Sequence, residues 1–234
     1  MPAAILPFQR ITWTPVVEEA DGLVSDSKFG GMPWLTRDEP WPLCQHCHQP
    51  MPLFVQLNLD TLPGGGMNSI FGSGLLQLFY CTNAEPHCES ECKAFLPFTP
   101  GKLARIVTHG SEGRTEFWKP GLAVKPQRIV GWDKRIDYPG WEEGHELGIE
   151  LSDADWERLA RTKFPVSGDK LAGWPLWLQG IEYPACPICQ TRMRLVFQLD
   201  SDDHLAYHFG DAGCGHITQC PIHHSQVAFA WACS

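Results

Sequence analysis

The chain has 234 residues, 43% of them apolar and 19% charged, the profile of a folded protein able to bury a substantial core. Its net charge of -9 argues against a nucleic-acid backbone as the main partner, since phosphate contacts need clustered Lys and Arg, and favours a basic protein or peptide instead. No apolar run reaches the ~18 residues of a membrane span, and the start, Met1-Pro2-Ala3-Ala4-Ile5-Leu6-Pro7, lacks the charged and apolar regions of a secretory leader. A cytoplasmic location is therefore expected, and in a reducing compartment ten Cys read as metal ligands before disulfides.

Twenty Pro and ten Trp predict many turns and few long helices, because Pro interrupts helices and inner strands alike. In chain order, a strand is expected near Ile11 to Val17. Further strands fall on Leu53 to Leu59 and Gly74 to Cys81, short branched or aromatic runs bounded by turn residues. Pro63 to Gly74 reads as a flexible Gly-rich loop; no Gly-Lys-Ser/Thr follows it, so it is not a phosphate loop. Leu103 to Val107 and Gln127 to Trp132 are predicted strands. Leu151 to Arg161 is the best predicted helix, with Ser152 as cap, acids in its first turn and arginines toward its end. The last predicted strands are Arg194 to Leu199, Ala206 to Phe209, Gly215 to Gln219 and Gln226 to Cys233.

One pattern occurs twice. Lys28, Gly31, Pro33, Pro42, Cys44, Cys47, Met51, Leu53, Gln56 and Leu57 recur, at a constant offset of 142, as Lys170, Gly173, Pro175, Pro184, Cys186, Cys189, Met193, Leu195, Gln198 and Leu199. These are 10 identities in 30 positions, where unrelated segments would share about two. The match resumes at an offset of 139, with Gly74 to Cys81 facing Gly213 to Cys220. The expected organisation is a first β-rich repeat over residues 1–98, a bridging α/β segment over 99–168 and a second repeat over 169–234, forming one compact unit. The fold class is mainly β (α+β), an internally duplicated antiparallel architecture with few short helices and zinc-knuckle sites.

The repeat carries the chemistry. Cys186-Pro187-Ile188-Cys189 and Cys220-Pro221-Ile222-His223 are the same knuckle with one Cys exchanged for His. Two residues between ligands let a tight turn aim both side chains at one ion, and Zn2+ favours such a set of three cysteines and one histidine. His224 is the alternative to His223. In the first repeat the corresponding ligands are Cys44, Cys47 and Cys81, with Cys88 as the fourth and Cys92 as the alternative. Two structural Zn2+ ions follow, each with four protein ligands and hence no open position. Cys214 and Cys233 read as buried small apolar residues. His46, His48, His87, His204, His208 and His216 read as surface groups or neighbours of the knuckles. Asp200 to Asp203 lacks the Gly and distal Glu of a calcium loop and reads as a solvated turn. The Gly31-Met32-Pro33-Trp34 turn and its echo are expected to carry an aromatic lid, with a peptide groove between the two turns as the sharper possibility.

Ser27-Lys28-Phe29-Gly30-Gly31-Met32-Pro33-Trp34-Leu35, Gln56-Leu57-Asn58-Leu59, Gly74-Leu75-Leu76-Gln77-Leu78-Phe79-Tyr80-Cys81 and Phe209-Gly210-Asp211-Ala212-Gly213 together resemble the YwqG-like family, bacterial proteins of unassigned biochemical function. The resemblance spans nearly the whole chain. The Cys-bearing repeats also resemble the eukaryotic programmed cell death protein 2 group. Membership implies a duplicated, β-rich fold. The eukaryotic relatives act as chaperones for a small-subunit ribosomal protein, and some bacterial members are regarded as immunity partners of secreted toxins. Many YwqG-like proteins lack the Cys ligands, so zinc rests on the residues of this chain. The expected role is a non-catalytic one, binding a basic protein or peptide as a chaperone or a toxin neutraliser. A zinc-ribbon nucleic-acid-associated protein, or an enzyme of unrecognised class, is the alternative.

Overall fold

In the computed structural model, which describes residues 1–110, 124–201 and 203–233, the branched and aromatic runs pair into one antiparallel sheet. Its ten strands are β1 (Arg10–Glu18), β2 (Lys28–Phe29), β3 (Leu53–Asn58), β4 (Leu75–Tyr80), β5 (Lys102–Val107), β6 (Gln127–Asp137), β7 (Lys170–Ala172), β8 (Arg194–Asp200), β9 (Cys214–Gln219) and β10 (Val227–Ala232). Their order is β10-β9-β8-β7-β1-β6-β2-β3-β4-β5, and the two end strands, β10 and β5, pack against each other, so the sheet nearly closes. Closure shields the unpaired edges that an open sheet would expose.

The order is symmetric about its centre. Five strands, β6-β2-β3-β4-β5, lie on one side of the β1/β6 pairing and five, β1-β7-β8-β9-β10, on the other. Positions matched in sequence hold matched places: Lys28 pairs with Gln56 and Lys170 with Gln198. The register shifts between Leu53 and Val55 in one half and between Leu195 and Phe197 in the other. A bulge at the same place in both halves bends each hairpin in the same sense.

The side chains that fix these halves also match. The amine of buried Lys28 meets Asp21 Oδ1 at 2.7 Å and the Met32 carbonyl at 3.2 Å. That of Lys170 meets Asp137 Oδ2 at 3.0 Å and the Trp174 carbonyl at 2.5 Å. Gln56 Oε1 accepts from the Trp34 amide at 2.9 Å, and Gln198 Oε1 from the Leu176 amide at 2.8 Å. Each Lys–Gln pair thus pins its Gly/Pro turn onto the sheet by satisfying amides and carbonyls that would otherwise be buried without partners. Trp34 and Trp174, expected as an aromatic lid, are both buried.

The space between the halves is filled by rings from both. Phe54 stacks on Tyr80 at 5.0 Å and meets Tyr207 at 4.9 Å, while Phe209 packs on Phe229 at 5.5 Å. Tyr80 Oη accepts from Trp231 Nε1 at 2.8 Å, and the Tyr80 and Tyr207 hydroxyls both donate to Glu89 Oε2. These bonds let large rings with polar ends be buried.

Four helices are short: α1 (Met67–Phe71), α2 (Cys88–Glu91), α3 (Trp141–Glu146) and α4 (Asp153–Arg161). In α4 the Ser152 hydroxyl accepts from the Asp155 amide, as the capping pattern predicts. Two expectations are corrected. The segment read as a flexible loop contains α1, because Met67 and Phe71, four apart, are both buried. Ala206 to Phe209 is not a strand. The Tyr207 amide bonds to the Leu205 carbonyl at 2.7 Å and the Phe209 amide to Ser201 Oγ at 2.9 Å, turning both rings inward. Asp202 of the acidic turn lies outside the described residues. Among the described residues no helix is long and apolar enough to cross a membrane.

Candidate metal centres

Each half presents four ligand atoms at the end of its β-hairpin. In the first, Cys44 and Cys47 lie in the connection from β2 to β3, Cys81 follows β4 directly and Cys88 opens α2. In the second, Cys186 and Cys189 precede β8, Cys220 follows β9 and His223 occupies the turn into β10. Within each group the donor atoms lie within 4.8 Å of one another, close enough to hold one metal ion.

The hairpin tips make this happen locally. The Cys44 amide bonds to the Gln49 carbonyl at 2.8 Å and the His48 amide to the Cys44 carbonyl at 2.9 Å. The Cys186 amide bonds to the Thr191 carbonyl and the Gln190 amide to the Cys186 carbonyl, both at 2.9 Å. His48 and Gln190, each just after the second Cys of its pair, adopt the left-handed conformation with φ of 58° and 60°. That turn brings the two thiols round to the same side. At the opposite knuckle, the Ile222 and His223 amides donate to Cys220 Sγ at 3.4 and 3.2 Å.

Sulfur separations fit an ion at the centre. Cys47 Sγ lies 3.7 Å from Cys81 Sγ, and Cys44 Sγ lies 4.0 Å from Cys88 Sγ. Cys189 Sγ stands 3.6 Å from Cys220 Sγ, while His223 Nδ1 is 3.8 Å from both Cys186 Sγ and Cys220 Sγ. A tetrahedron of sulfurs bonded to zinc at about 2.3 Å has edges of about 3.8 Å. A disulfide would need sulfurs about 2.0 Å apart, and all ten cysteines are free.

The electrostatics point the same way. Burial raises the Cys47 thiol, but the Gln49 amide and the neighbouring thiols outweigh it and bring it down to about 7. The hydroxyl and amide of Thr191 hold Cys189 down at about 6. Burial pushes Cys81 up to about 12 and raises Cys88 further, helped by the Cys47 and Cys81 thiols. A half-buried group of thiols can begin to ionise but cannot complete it, since each new negative charge opposes the next. A divalent cation removes that opposition, and its binding releases the remaining protons.

His224 does not join the second group. A Cβ on Gly72 would lie 3.2 Å from His224 Nδ1, so its ring faces the α1 segment. Cys92 is buried beside the first group and, with His46 and Cys88, forms a trio of close donors. Cys214 is buried, in keeping with a small core residue, and lies 3.7 Å from His216 Nε2.

Two histidines expected near the surface or the knuckles are elsewhere. His216 is buried against Trp177 at 4.6 Å, and burial lowers its pKa to about 3. His204 stacks on Phe29 at 5.1 Å and bonds to Asp169 Oδ2 at 2.9 Å, with Asp203 Oδ1 at 3.5 Å. Asp169 is buried, which raises its pKa to about 6. No spacing in the sequence marks the contacts with Trp177, Phe29 and Asp169, because these partners sit on segments distant along the chain.

A family model described as a domain of unknown function, DUF1963, matches residues 27–233, so the chain belongs to that family. No curated protein matches the chain.

Proposed function

We propose that this DUF1963 member is a cytoplasmic, non-catalytic binding protein whose two halves are each held by a structural zinc ion. The observation that carries this reading is the donor chemistry: two groups of four, one all cysteine and one of three cysteines with a histidine, each drawn from both ends of one hairpin. Thiolate-rich tetrahedral sites select zinc, and four protein ligands leave no position for a reacting water. The ions cross-link each hairpin tip to the end of its neighbouring strand, and the surface is left to recognise a partner.

A net charge of -9 favours a basic protein or peptide by electrostatic complementarity, as a chaperone's client or a toxin would be. The test is affinity capture from host lysate with nuclease treatment, followed by reconstitution of the captured protein with the purified chain. A basic protein recovered at about one per chain, retained after nuclease and rebinding when purified, supports the reading. Recovery of nucleic acid instead, with steep salt dependence in a gel shift, would favour the zinc-ribbon alternative.

A further inference from the structure

Next to the second metal group, where Met193 packs on Cys186 and Cys220, a cleft of about 590 Å³ opens where the two halves and the bridging segment meet. That size lies within the roughly 300–1,000 Å³ of small-ligand sites. One wall is helix α1, with Met67 and Phe71; the floor includes Trp13 of β1 and Leu195 of β8; the far wall is helix α3 with Glu143. Exposed Ile70 and Leu147 form part of its rim.

Two polar atoms in this apolar cleft are buried without a hydrogen-bond partner among the described residues. They are of opposite character: the acceptor Glu143 Oε2 and the donor Arg194 Nε. Glu143 is only 4% exposed and lies in the first turn of α3. Its Oε1 faces Arg192 at 3.6 Å, and the Tyr183 hydroxyl stands beside the carboxylate. The other guanidiniums are engaged. Arg192 pairs with Glu146 and lies over the Tyr183 ring at 4.1 Å, while Arg10 lies over Trp174 at 3.2 Å and donates to the Gly173 carbonyl. Arg194 spends one nitrogen on the Ile70 carbonyl and keeps Nε free.

Buried polar groups left unpaired call for an explanation, and a further molecule that completes the set is one. A simple cation would satisfy Glu143 but sit among three guanidiniums. A simple anion would satisfy Arg194 but face two carboxylates. A molecule bearing both charges and an apolar body answers the whole lining.

We propose that this cleft binds a free α-amino acid with an apolar side chain, its ammonium on Glu143, its carboxylate on Arg194 and its side chain against Trp13, Met67 and Phe71. The proposal does not rest on the partner-binding reading and stands or falls separately from it. The same two charged ends occur singly at the termini of peptides, so the test must separate a free amino acid from a peptide end.

Calorimetric titration of the zinc-loaded full chain with L-leucine, L-methionine and L-phenylalanine provides that test, with N-acetyl-L-leucine and L-leucinamide as single-ended controls. Saturable binding of at least one free amino acid is expected, and each leucine control should bind at least tenfold more weakly than leucine. Glu143→Gln should weaken binding at least tenfold with an unchanged melting temperature. Should Glu143→Gln fail to fold, Ile70→Trp at the exposed rim fills the mouth and should abolish binding without disturbing the core. No saturable binding of any of the three up to about 10 mM, weaker than the ~1 mM of a barely specific site, would overturn the proposal. So would equal binding of a control, which assigns the cleft to a peptide end, or undiminished binding by the variant that folds.

Discussion

The two halves of the sheet use one frame in two chemical versions. In the first, the lysine that pins the turn pairs with Asp21, whose side chain is 37% exposed; in the second, both Lys170 and Asp137 are wholly buried. Gln77, at the centre of β4, bonds to the Trp34 carbonyl at 2.7 Å and to Gln56, whereas its counterpart in β9 is the ionisable but buried His216. The first metal group has a fifth cysteine beside it; the second, among the described residues, has its four donors and no more. The backbone register tolerates all of these exchanges because the pairing of β2 with β3, and of β7 with β8, is set by strand hydrogen bonds and the buried Lys–Gln contacts. What differs is how much each half loses when one group is removed.

Metal removal should produce the largest effect. Structural zinc contributes an apparent ~10–16 kcal/mol in small zinc domains, so chelation is expected to melt the hairpin tips, read by circular dichroism and protease sensitivity. The comparison sharpens with single ligands. His223→Ala should lower zinc from two per chain to about one, because His224 faces Gly72. Cys88→Ser should keep about two, with Cys92 taking the vacant place, since it lies beside Cys88 and Cys44. Equal loss from both variants would remove the asymmetry between the sites.

Next come the ion pairs. Asp137 accepts from Lys170, from the Trp174 amide at 2.9 Å and from the Val166 amide at 2.8 Å, all in the interior. Asp137→Asn leaves a buried ammonium without its counter-charge and should cost about 3–5 kcal/mol in urea unfolding. Asp21→Asn, at a half-exposed position, should cost about 1 kcal/mol or less. Comparable costs would mean that burial is not what separates the halves.

The buried His216 gives the second half a pH dependence of its own. Burial holds His216 neutral, down to about 3, against about 6.5 in the unfolded chain. Between those values the unfolded state binds the extra proton, so the stability contributed by this group falls as pH drops from 7 toward 3, opposite in sign to that of Asp169. At pH 5 the loss is about 2 kcal/mol. His216→Gln, which installs the residue of the first half, should flatten the stability profile between pH 7 and pH 5; an unchanged slope would refute the assignment. Smallest of all, His48→Gly and Gln190→Gly should each change stability by less than about 1 kcal/mol, relief of the left-handed φ offsetting the entropy of Gly. A larger loss in one half would show that its side chain does more than turn the chain.

Much of this architecture is legible in the residues alone. The strand runs of β3, β4 and β8 are readable because both faces are covered, leaving short stretches that are mostly apolar. The Cys spacings, and their recurrence at one offset, point to the donors that the fold gathers into two groups. Contacts that depend on the tertiary path are not legible. Asp21 and Asp137 share no sequence frame with the repeat, since one precedes its lysine by seven residues and the other by 33. Ala206 to Phe209 has strand composition, yet its rings are drawn into the central cluster, and core burial overrides local preference. The Glu143–Arg194 cleft joins three distant segments, none of which carries a motif.

Whether two metal ions close the two halves is read from native mass spectrometry of the purified chain, with zinc quantified by elemental analysis and thiols by titration. Two zinc ions per chain are expected, with Cys44, Cys47, Cys81, Cys88, Cys186, Cys189 and Cys220 protected until a chelator is added. Less than one zinc per chain, with those seven thiols reactive in the folded protein at native conditions, would contradict it.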